Sequence, residues 1–401
     1  MAGPPGLKPL VAVAQVTSTP DKELNFAACA GLVREAARRD ACLVFLPEGF
    51  DYIGSDAAQT LSLAEGLDGD LMGRYAQLAR YRRGPPPPSS RGPGWRRRSR
   101  GCRLRDPRPR RSRGDPGDCG VWLSLGGFHE RGRDWPTTQR IYNCHVLLDP
   151  AGRLVAAYRK THLCDVELEG RVTMKESSFT NPGTEIVAPV STPAGKLGLS
   201  VCYDLRFPEI SLALRRAGAE ILTYPSAFTI PTGSAHWEVS SAPQPQPLPR
   251  PLVPRPRKGQ VAQPAQPQRP RPNRALCPAS PPWATVRHRR QCRIPRQCRI
   301  PRQCRIPRQV LLRARAIESQ CYVVAAAQTG KNHERRTSYG HALVVDPWGA
   351  VVAQCREGPG LCYAEIDLDY LHRIRREIPV HGHRRPDLYG TVAAAGLAPA
   401  P

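Results

Sequence analysis

From Leu10 onward the chain alternates short apolar runs with stretches whose apolar residues recur at helical spacing. Leu10–Val16 and Cys42–Leu46 read as buried strands. Between them, Lys22–Arg39 carries Leu24, Phe26, Leu32, Val33 and Ala36 at helical intervals, and a further helical pattern runs from Ala57 to Arg80. After a break, strands are predicted at Val121–Phe128, Tyr142–Leu148 and Leu154–Tyr158. Leu197–Val201 and Glu220–Tyr224 flank a predicted helix over Pro208–Ala217. Cys321–Ala327, His341–Val345, Val351–Gln354 and Leu361–Ile366 complete the series. Strands alternating with helices point to a layered α-β architecture around one core. About ten to twelve strands are more than one open sheet usually holds, so two sheets packed face to face with helices outside are expected.

Two stretches break this pattern, and they also explain the bulk composition. The chain of 401 residues has 59 Lys and Arg against 34 Asp and Glu, a formal net charge of +25, and 44 prolines. Residues 81–117 hold 13 Arg and 2 Asp; residues 240–309 hold 16 Lys and Arg and no acid. Without these two stretches, 30 basic and 32 acidic residues remain. The globular part is therefore near neutral. Residues 291–308 are three identical copies of Gln-Cys-Arg-Ile-Pro-Arg, a fidelity that reads as duplication of nucleotide sequence. A proline every six residues and few apolar positions predict two disordered inserts, 81–117 and 240–309, in a single domain spanning 8–392 with a flexible tail over 393–401.

No apolar run reaches the length of a membrane span, and Met1–Lys8 lacks the pattern of a signal peptide. Several of the 14 cysteines lie inside apolar runs, which suits a reduced cytosolic chain better than a disulfide scaffold. A mitochondrial form is the second compartment to consider. The basic inserts would attract phosphates, but they contain no reading module, so specific nucleic-acid binding is not expected.

The informative chemistry lies just past three strands. Glu48 follows Cys42–Leu46 in Leu-Pro-Glu-Gly-Phe; Lys160 follows Leu154–Tyr158 in Tyr-Arg-Lys-Thr-His-Leu; Cys202 follows Leu197–Val201 in Val-Cys-Tyr-Asp-Leu-Arg-Phe-Pro-Glu. Strand ends are where α/β sheets present reactive groups. A cysteine ahead of the helix begun by Pro208 is expected near its positive end, which would favour thiolate. Taken singly, each residue has a bland reading: a structural cysteine and two surface charges. Their order in the chain changes that.

With these blocks, and with Tyr-Gly-His-Ala-Leu-Val-Val-Asp-Pro-Trp-Gly and Arg-Arg-Pro-Asp-Leu-Tyr later on, the chain resembles the nitrilase superfamily of carbon–nitrogen hydrolases over 8–80, 118–239 and 310–392. The resemblance implies an α+β four-layer α-β-β-α sandwich, a homodimer and hydrolysis of a small amide through a cysteine thioester, with no cofactor and no metal. Its triad maps onto Glu48, Lys160 and Cys202, and its second glutamate onto Glu176, with Glu167 close enough to compete. Glu48 would act as base and acid, its pKa raised by a closed pocket. Lys160 and the backbone N–H of Tyr203 would hold the oxyanion.

The resemblance further implies deaminated glutathione as substrate, giving 2-oxoglutarate and Cys-Gly. An ω-amidase or ureide hydrolase of the same superfamily and an inactive scaffold are the alternatives. A carboxylate-bearing substrate calls for cations or hydroxyls: Arg206 is the first candidate, against an ion pair with Glu209, and Thr229 the second, against a turn hydroxyl. The second insert interrupts His236–Val239 and Val310–Glu318, which the family keeps continuous.

Overall fold

The computed structural model describes residues 8–80, 120–168, 172–237, 310–390 and 397–398. Both expected inserts lie outside the described residues. The described residues on either side of 240–307 pack into one unit.

In chain order the first part comprises β1 (Leu10–Val16), α1 (Lys22–Arg38), β2 (Leu43–Leu46), α2 (Ala57–Leu63), α3 (Asp70–Ala79), β3 (Trp122–Glu130), α4 (Trp135–Thr138), β4 (Tyr142–Leu148) and β5 (Leu154–Arg159). A hairpin, β6 (Asp165–Leu168) and β7 (Val172–Lys175), leads to β8 (Ile186–Val187), β9 (Val190–Thr192), β10 (Gly195–Gly198), α5 (Pro208–Arg216), β11 (Ile221–Thr223) and α6 (Ile230–Thr232). The last part holds α7 (Val310–Ser319), β12 (Tyr322–Ala325), β13 (Ala327–His333), β14 (Arg336–Tyr339), β15 (Leu343–Val345), β16 (Val351–Gln354), β17 (Gly360–Glu365), α8 (Leu368–Glu377), α9 (Pro386–Tyr389) and β18 (Leu397–Ala398).

One sheet has eight strands in the order β14-β13-β1-β2-β3-β4-β5, with β17 also paired to β1; the other has six, β16-β15-β12-β11-β10-β9. Side chains alternate along each strand, and the sheets use both faces. In β1, Val11 and Val13 join the core between the sheets, together with Leu43, Phe45, Leu197, Ile221, Val323 and Val344. Ala12 and Ala14 point the other way, into a second core with Val33 of α1 and Tyr75 of α3. Ile210 and Leu214 of α5 and Leu312 and Ala316 of α7 extend the inter-sheet core outward over the six-stranded sheet. The result is the expected four-layer α-β-β-α sandwich. α1 starts where Asp21 accepts hydrogen bonds from the Glu23 and Leu24 N–H groups at 2.9 and 3.0 Å.

Several predicted boundaries shift for local reasons. The helix predicted over 57–80 is two helices, because Ala64 leaves helical geometry and the Glu65 N–H donates to the His129 carbonyl at 3.3 Å. Cys321–Ala327 is not one strand: the chain leaves the six-stranded sheet after Ala325 and joins the eight-stranded sheet at Ala327. Within the expected tail, Leu397–Ala398 pair in parallel with β8 as a separate two-stranded sheet.

His145 ties the two sheets together close to the site. Its Nε2 accepts from Ser124 Oγ at 2.7 Å in the eight-stranded sheet, and its Nδ1–H donates to the Ser200 carbonyl at 2.9 Å beyond β10. The ring is fully buried, and burial pushes its pKa down to about 4 against the opposing effect of the Ser200 carbonyl. The unfolded chain therefore binds a proton that the folded one refuses, so stability falls as pH drops from about 6.5 towards about 4. The loss expected from this residue is on the order of 3 kcal/mol. Urea unfolding at a series of pH values checks it. His145→Gln should show a flatter acid limb than the parent; parallel limbs would remove His145 as the cause.

Candidate active site

Glu48 and Lys160 leave the eight-stranded sheet beyond β2 and β5, while Cys202 follows β10 of the six-stranded sheet, so the facing of the sheets brings them together. Lys160 is the centre of the cluster. Its Nζ donates to Glu48 Oε1 at 3.1 Å and to Glu176 Oε1 and Oε2 at 3.1 and 2.9 Å. The Cys202 thiol donates to Glu48. Glu167 is exposed on the β6–β7 hairpin, whereas Glu176, at its base, is buried. Burial, which sequence spacing does not reveal, separates the two glutamates.

Each carboxylate has fixed donors besides the lysine. Asn143 Nδ2 donates to Glu48 Oε1 at 2.9 Å and to Glu176 Oε1 at 3.1 Å. The Ala227 N–H donates to Glu48 Oε2 at 3.0 Å, and the Cys164 N–H to Glu176 Oε2 at 2.6 Å. Sequence reading missed Asn143 and Ala227, which lie far from the triad in the chain. It also missed Asp204, wholly buried, which joins two segments of the site. Its Oδ2 accepts from the Val201 N–H and the Tyr158 hydroxyl, each at 2.8 Å. Its Oδ1 faces His162 Nδ1 at 2.7 Å. The segment after Lys160 is thereby held against the turn that carries Cys202.

That turn is strained in a specific way. Cys202 has φ of +44°, a left-handed conformation rare for a residue with a side chain, and its N–H donates to the Pro225 carbonyl at 3.0 Å. It opens a short 3₁₀ turn, Cys202–Arg206, and the helix begun by Pro208 starts six residues later. Glu48 is seated against Gly127, which sits at a β3 bulge with φ of +70°. A Cβ there would come within 2.7 Å of both Cα and Cγ of Glu48. The Gly-Gly pair inside a strand is the sequence signal for such a close approach.

The charges do not follow the sequence expectation. Burial pushes the Cys202 thiol well up, the negative charge of Glu48 adds to this, and Lys160 only partly opposes it. The shift runs against the expected thiolate. Burial would also raise the Glu48 carboxyl, but Lys160, with hydrogen bonds from Cys202, Asn143 and Lys160, holds it below the usual range. The expected upward shift is reversed, because the carboxylate is paired within its closed pocket. For Lys160, burial acts downward, and Glu176, Glu48 and Cys202 together overcome it and hold the ammonium strongly protonated.

Arg206 does not pair with Glu209. Its guanidinium lies 3.2–3.3 Å from His236 Nδ1 and rests over the rings of Tyr203 and Phe228, at 5.4 and 5.6 Å from their centroids. Burial and the nearby Arg206 charge lower the His236 pKa, which suits a neutral ring accepting from Arg206. The Thr229 hydroxyl contacts Thr232 Oγ1 at 3.0 Å. Phe128 is wholly within the helix-side core, and Trp237 is buried with its Nε1–H donated to the His341 carbonyl at 2.8 Å. Among the described residues, no cluster of His, Cys, Asp and Glu is arranged to hold a metal ion, and no helix is long and apolar enough to cross a membrane.

The profile of the carbon–nitrogen hydrolase family matches residues 10–83, 111–244 and 300–376. The chain is 50% identical over 384 residues to the deaminated glutathione amidase of Homo sapiens, covering 96% of this chain and 84% of the relative. It is 36% identical to the crystal structure of the NitFhit protein of C. elegans, with a TM-score of 0.66 over 98% of this chain and 68% of that one. A Saccharomyces cerevisiae member of the nitrilase superfamily shares the fold at 23% identity, with a TM-score of 0.61 over 96% of this chain and all of that one.

Two substitutions separate position from charge at this site. Gly127→Ala should retain Glu48 but displace it, lowering amide turnover by about 10²-fold or more while the chain stays folded, since misplacing a catalytic group by about 1 Å has that effect. Near-parental turnover would show that Gly127 does not seat Glu48. Glu48→Gln removes the charge that helps keep the Cys202 thiol protonated and leaves Lys160 unopposed on that side. Iodoacetamide should then alkylate Cys202 faster at neutral pH even as turnover falls by about 10³-fold or more. Slower alkylation would contradict this charge assignment.

Proposed function

The chain belongs to the carbon–nitrogen hydrolase family, and from that premise we propose that it hydrolyses the amide bond of deaminated glutathione, releasing 2-oxoglutarate and Cys-Gly. The observation that carries the chemistry is the contact of a buried ammonium, Lys160, with the Glu176 and Glu48 carboxylates, the latter beside the part-exposed Cys202 thiol. The substrate reading is supported by the relative that shares half of its residues over nearly the whole chain.

In this reading Glu48 takes the Cys202 proton as sulfur attacks the amide carbon. A high thiol pKa beside a low carboxyl pKa makes that transfer unfavourable on its own, so it is coupled to attack. Negative charge then passes from sulfur to the carbonyl oxygen, which Lys160 and the Tyr203 N–H receive. As Lys160 turns towards the oxyanion, its hold on Glu48 weakens and the carboxyl becomes a better acid. The Glu48 proton goes to the leaving nitrogen, Cys-Gly departs, and a thioester remains on Cys202. Glu48 next takes a proton from water, whose oxygen attacks the thioester. Collapse of the second tetrahedral species returns the proton to sulfur and releases 2-oxoglutarate. Asn143 and Glu176 keep Lys160 and Glu48 in register throughout.

Arg206 is the proposed grip for a substrate carboxylate, with His236 steadying its guanidinium. We further propose a cytosolic homodimer, with a mitochondrial form as the second location.

The deciding assay follows 2-oxoglutarate release from deaminated glutathione by the purified 401-residue chain, with Cys202→Ala as the blank. Turnover that vanishes in the blank is expected; turnover that survives it would overturn the mechanism. A panel of ω-amides and ureides, giving a higher kcat/KM with any of them, would move the substrate assignment. If the whole chain is inert on every substrate, a chain lacking 81–117 and 240–309 separates an impaired protein from a wrong reaction. Arg206→Gln should raise KM by about 10-fold or more with little change in kcat, because a charge-assisted hydrogen bond is worth roughly 1.5–3 kcal/mol.

A further inference from the structure

Away from the triad, Cys355 and Cys362 meet where the chain passes from β16 of the six-stranded sheet to β17 of the eight-stranded sheet. Each thiol donates to a backbone carbonyl next to the other cysteine, and each shifts the other's titration. Cys355 Sγ also lies 3.7 Å from the Val13 carbonyl, and Val13 is the register partner of Cys362 in the β1–β17 ladder. Cys362 Sγ in turn lies 3.7 Å from the Ala342 carbonyl, which accepts the Cys355 N–H at 2.8 Å. The two cysteines therefore share the Val13 and Ala342 backbone as neighbours.

The connection between them is pinned. The wholly buried Gln15 side chain donates to the Arg356 and Gly358 carbonyls at 2.7 and 2.6 Å and accepts from the Ala342 N–H at 2.8 Å. Both cysteines line a surface cavity of about 490 Å³ walled by residues 352–363, although each is only 7% exposed. The cavity gives a small reagent a route to sulfurs that are otherwise covered.

We propose that Cys355 and Cys362 are a redox site, oxidised by peroxide to an intramolecular disulfide and restored by thiols. The two sulfurs have unequal tasks. The neighbouring Cys362 and His341 favour the Cys355 thiolate against the burial that opposes it, which assigns the attack to Cys355 and the resolving step to Cys362. The Cys355 thiolate attacks one peroxide oxygen, the O–O bond breaks, and sulfenic acid and hydroxide form. The Cys362 sulfur then displaces the sulfenic oxygen, which leaves as water after taking a proton. In sum, two thiols lose two electrons and two hydrogens, and one peroxide becomes two waters. This inference is independent of the amidase assignment, because neither cysteine touches Glu48, Lys160 or Cys202 in the contacts described.

The sequence makes the product simple to read. Trypsin cuts after Arg336, Arg356 and Arg373, so Thr337–Arg356 and Glu357–Arg373 are separate peptides with one cysteine each. The folded full-length chain carrying Cys202→Ala is treated with hydrogen peroxide, blocked with iodoacetamide and digested without reductant. The two peptides should appear joined, lighter than their sum by two hydrogens, and should separate on reduction. Cys355→Ser should abolish the joined species and leave Cys362 as a free thiol. Recovery of both peptides singly alkylated after peroxide treatment would overturn the proposal. So would equal yield of the joined pair from urea-unfolded chain, since proximity in sequence alone would then explain it.

Discussion

The site depends on an ammonium group with nowhere to go. Lys160 is 2% exposed, and taking such a charge out of water costs several kcal/mol unless opposite charge meets it at close range. Two carboxylates meet it. Together they leave the cluster with an excess of negative charge, which in turn keeps the neighbouring thiol protonated. Each carboxylate needs donors of its own, and these come from β4, from the segment after Lys160 and from the segment after β11. One buried cation thus sets requirements on β4 and on the segments beyond β2, β5 and β11.

Those requirements explain several features that look unrelated along the chain. Gly127 has no side chain because Glu48 occupies the space where one would be. Asp204 is buried because two loops need a shared acceptor. Cys202 accepts a left-handed backbone because its N–H must reach the Pro225 carbonyl while its thiol reaches Glu48. Local strain is tolerated where surrounding hydrogen bonds over-determine the position.

How much of this was legible beforehand follows from the range of each interaction. The strands that carry Glu48, Lys160 and Cys202 were visible because apolar runs are local, and the residues just past them could be named directly. The sandwich was legible from strand number and from the family blocks. Asn143 was not, because an asparagine in an apolar strand carries no local sign that it bridges two glutamates. The choice between Glu167 and Glu176 turned on which side of a hairpin is covered, which only the packed structure reveals. The shifts of Glu48 and Cys202 run against expectation because a closed pocket says nothing of Lys160 beside Glu48, and a place ahead of a helix says nothing of Glu48 beside Cys202. The helix over 57–80 was predicted unbroken because apolar spacing does not register the pull of the His129 carbonyl on Glu65.

The passage of the chain between sheets after Ala325 has a mechanical side. Ser226 donates to the Ala326 carbonyl at 2.9 Å and Gln328 donates back to the Ser226 carbonyl at 2.9 Å, so two segments cross the gap side by side. The next residue, Ala227, holds Glu48, and the Gln328 side chain holds the Glu48 and Gly49 carbonyls at 3.0 Å. The sandwich consequently has no cleavage plane along its middle: parting the layers means tearing out the seat of Glu48. Opening the site at Glu48 and parting the sheets thus break the same hydrogen bonds, which couples the chemistry to the architecture.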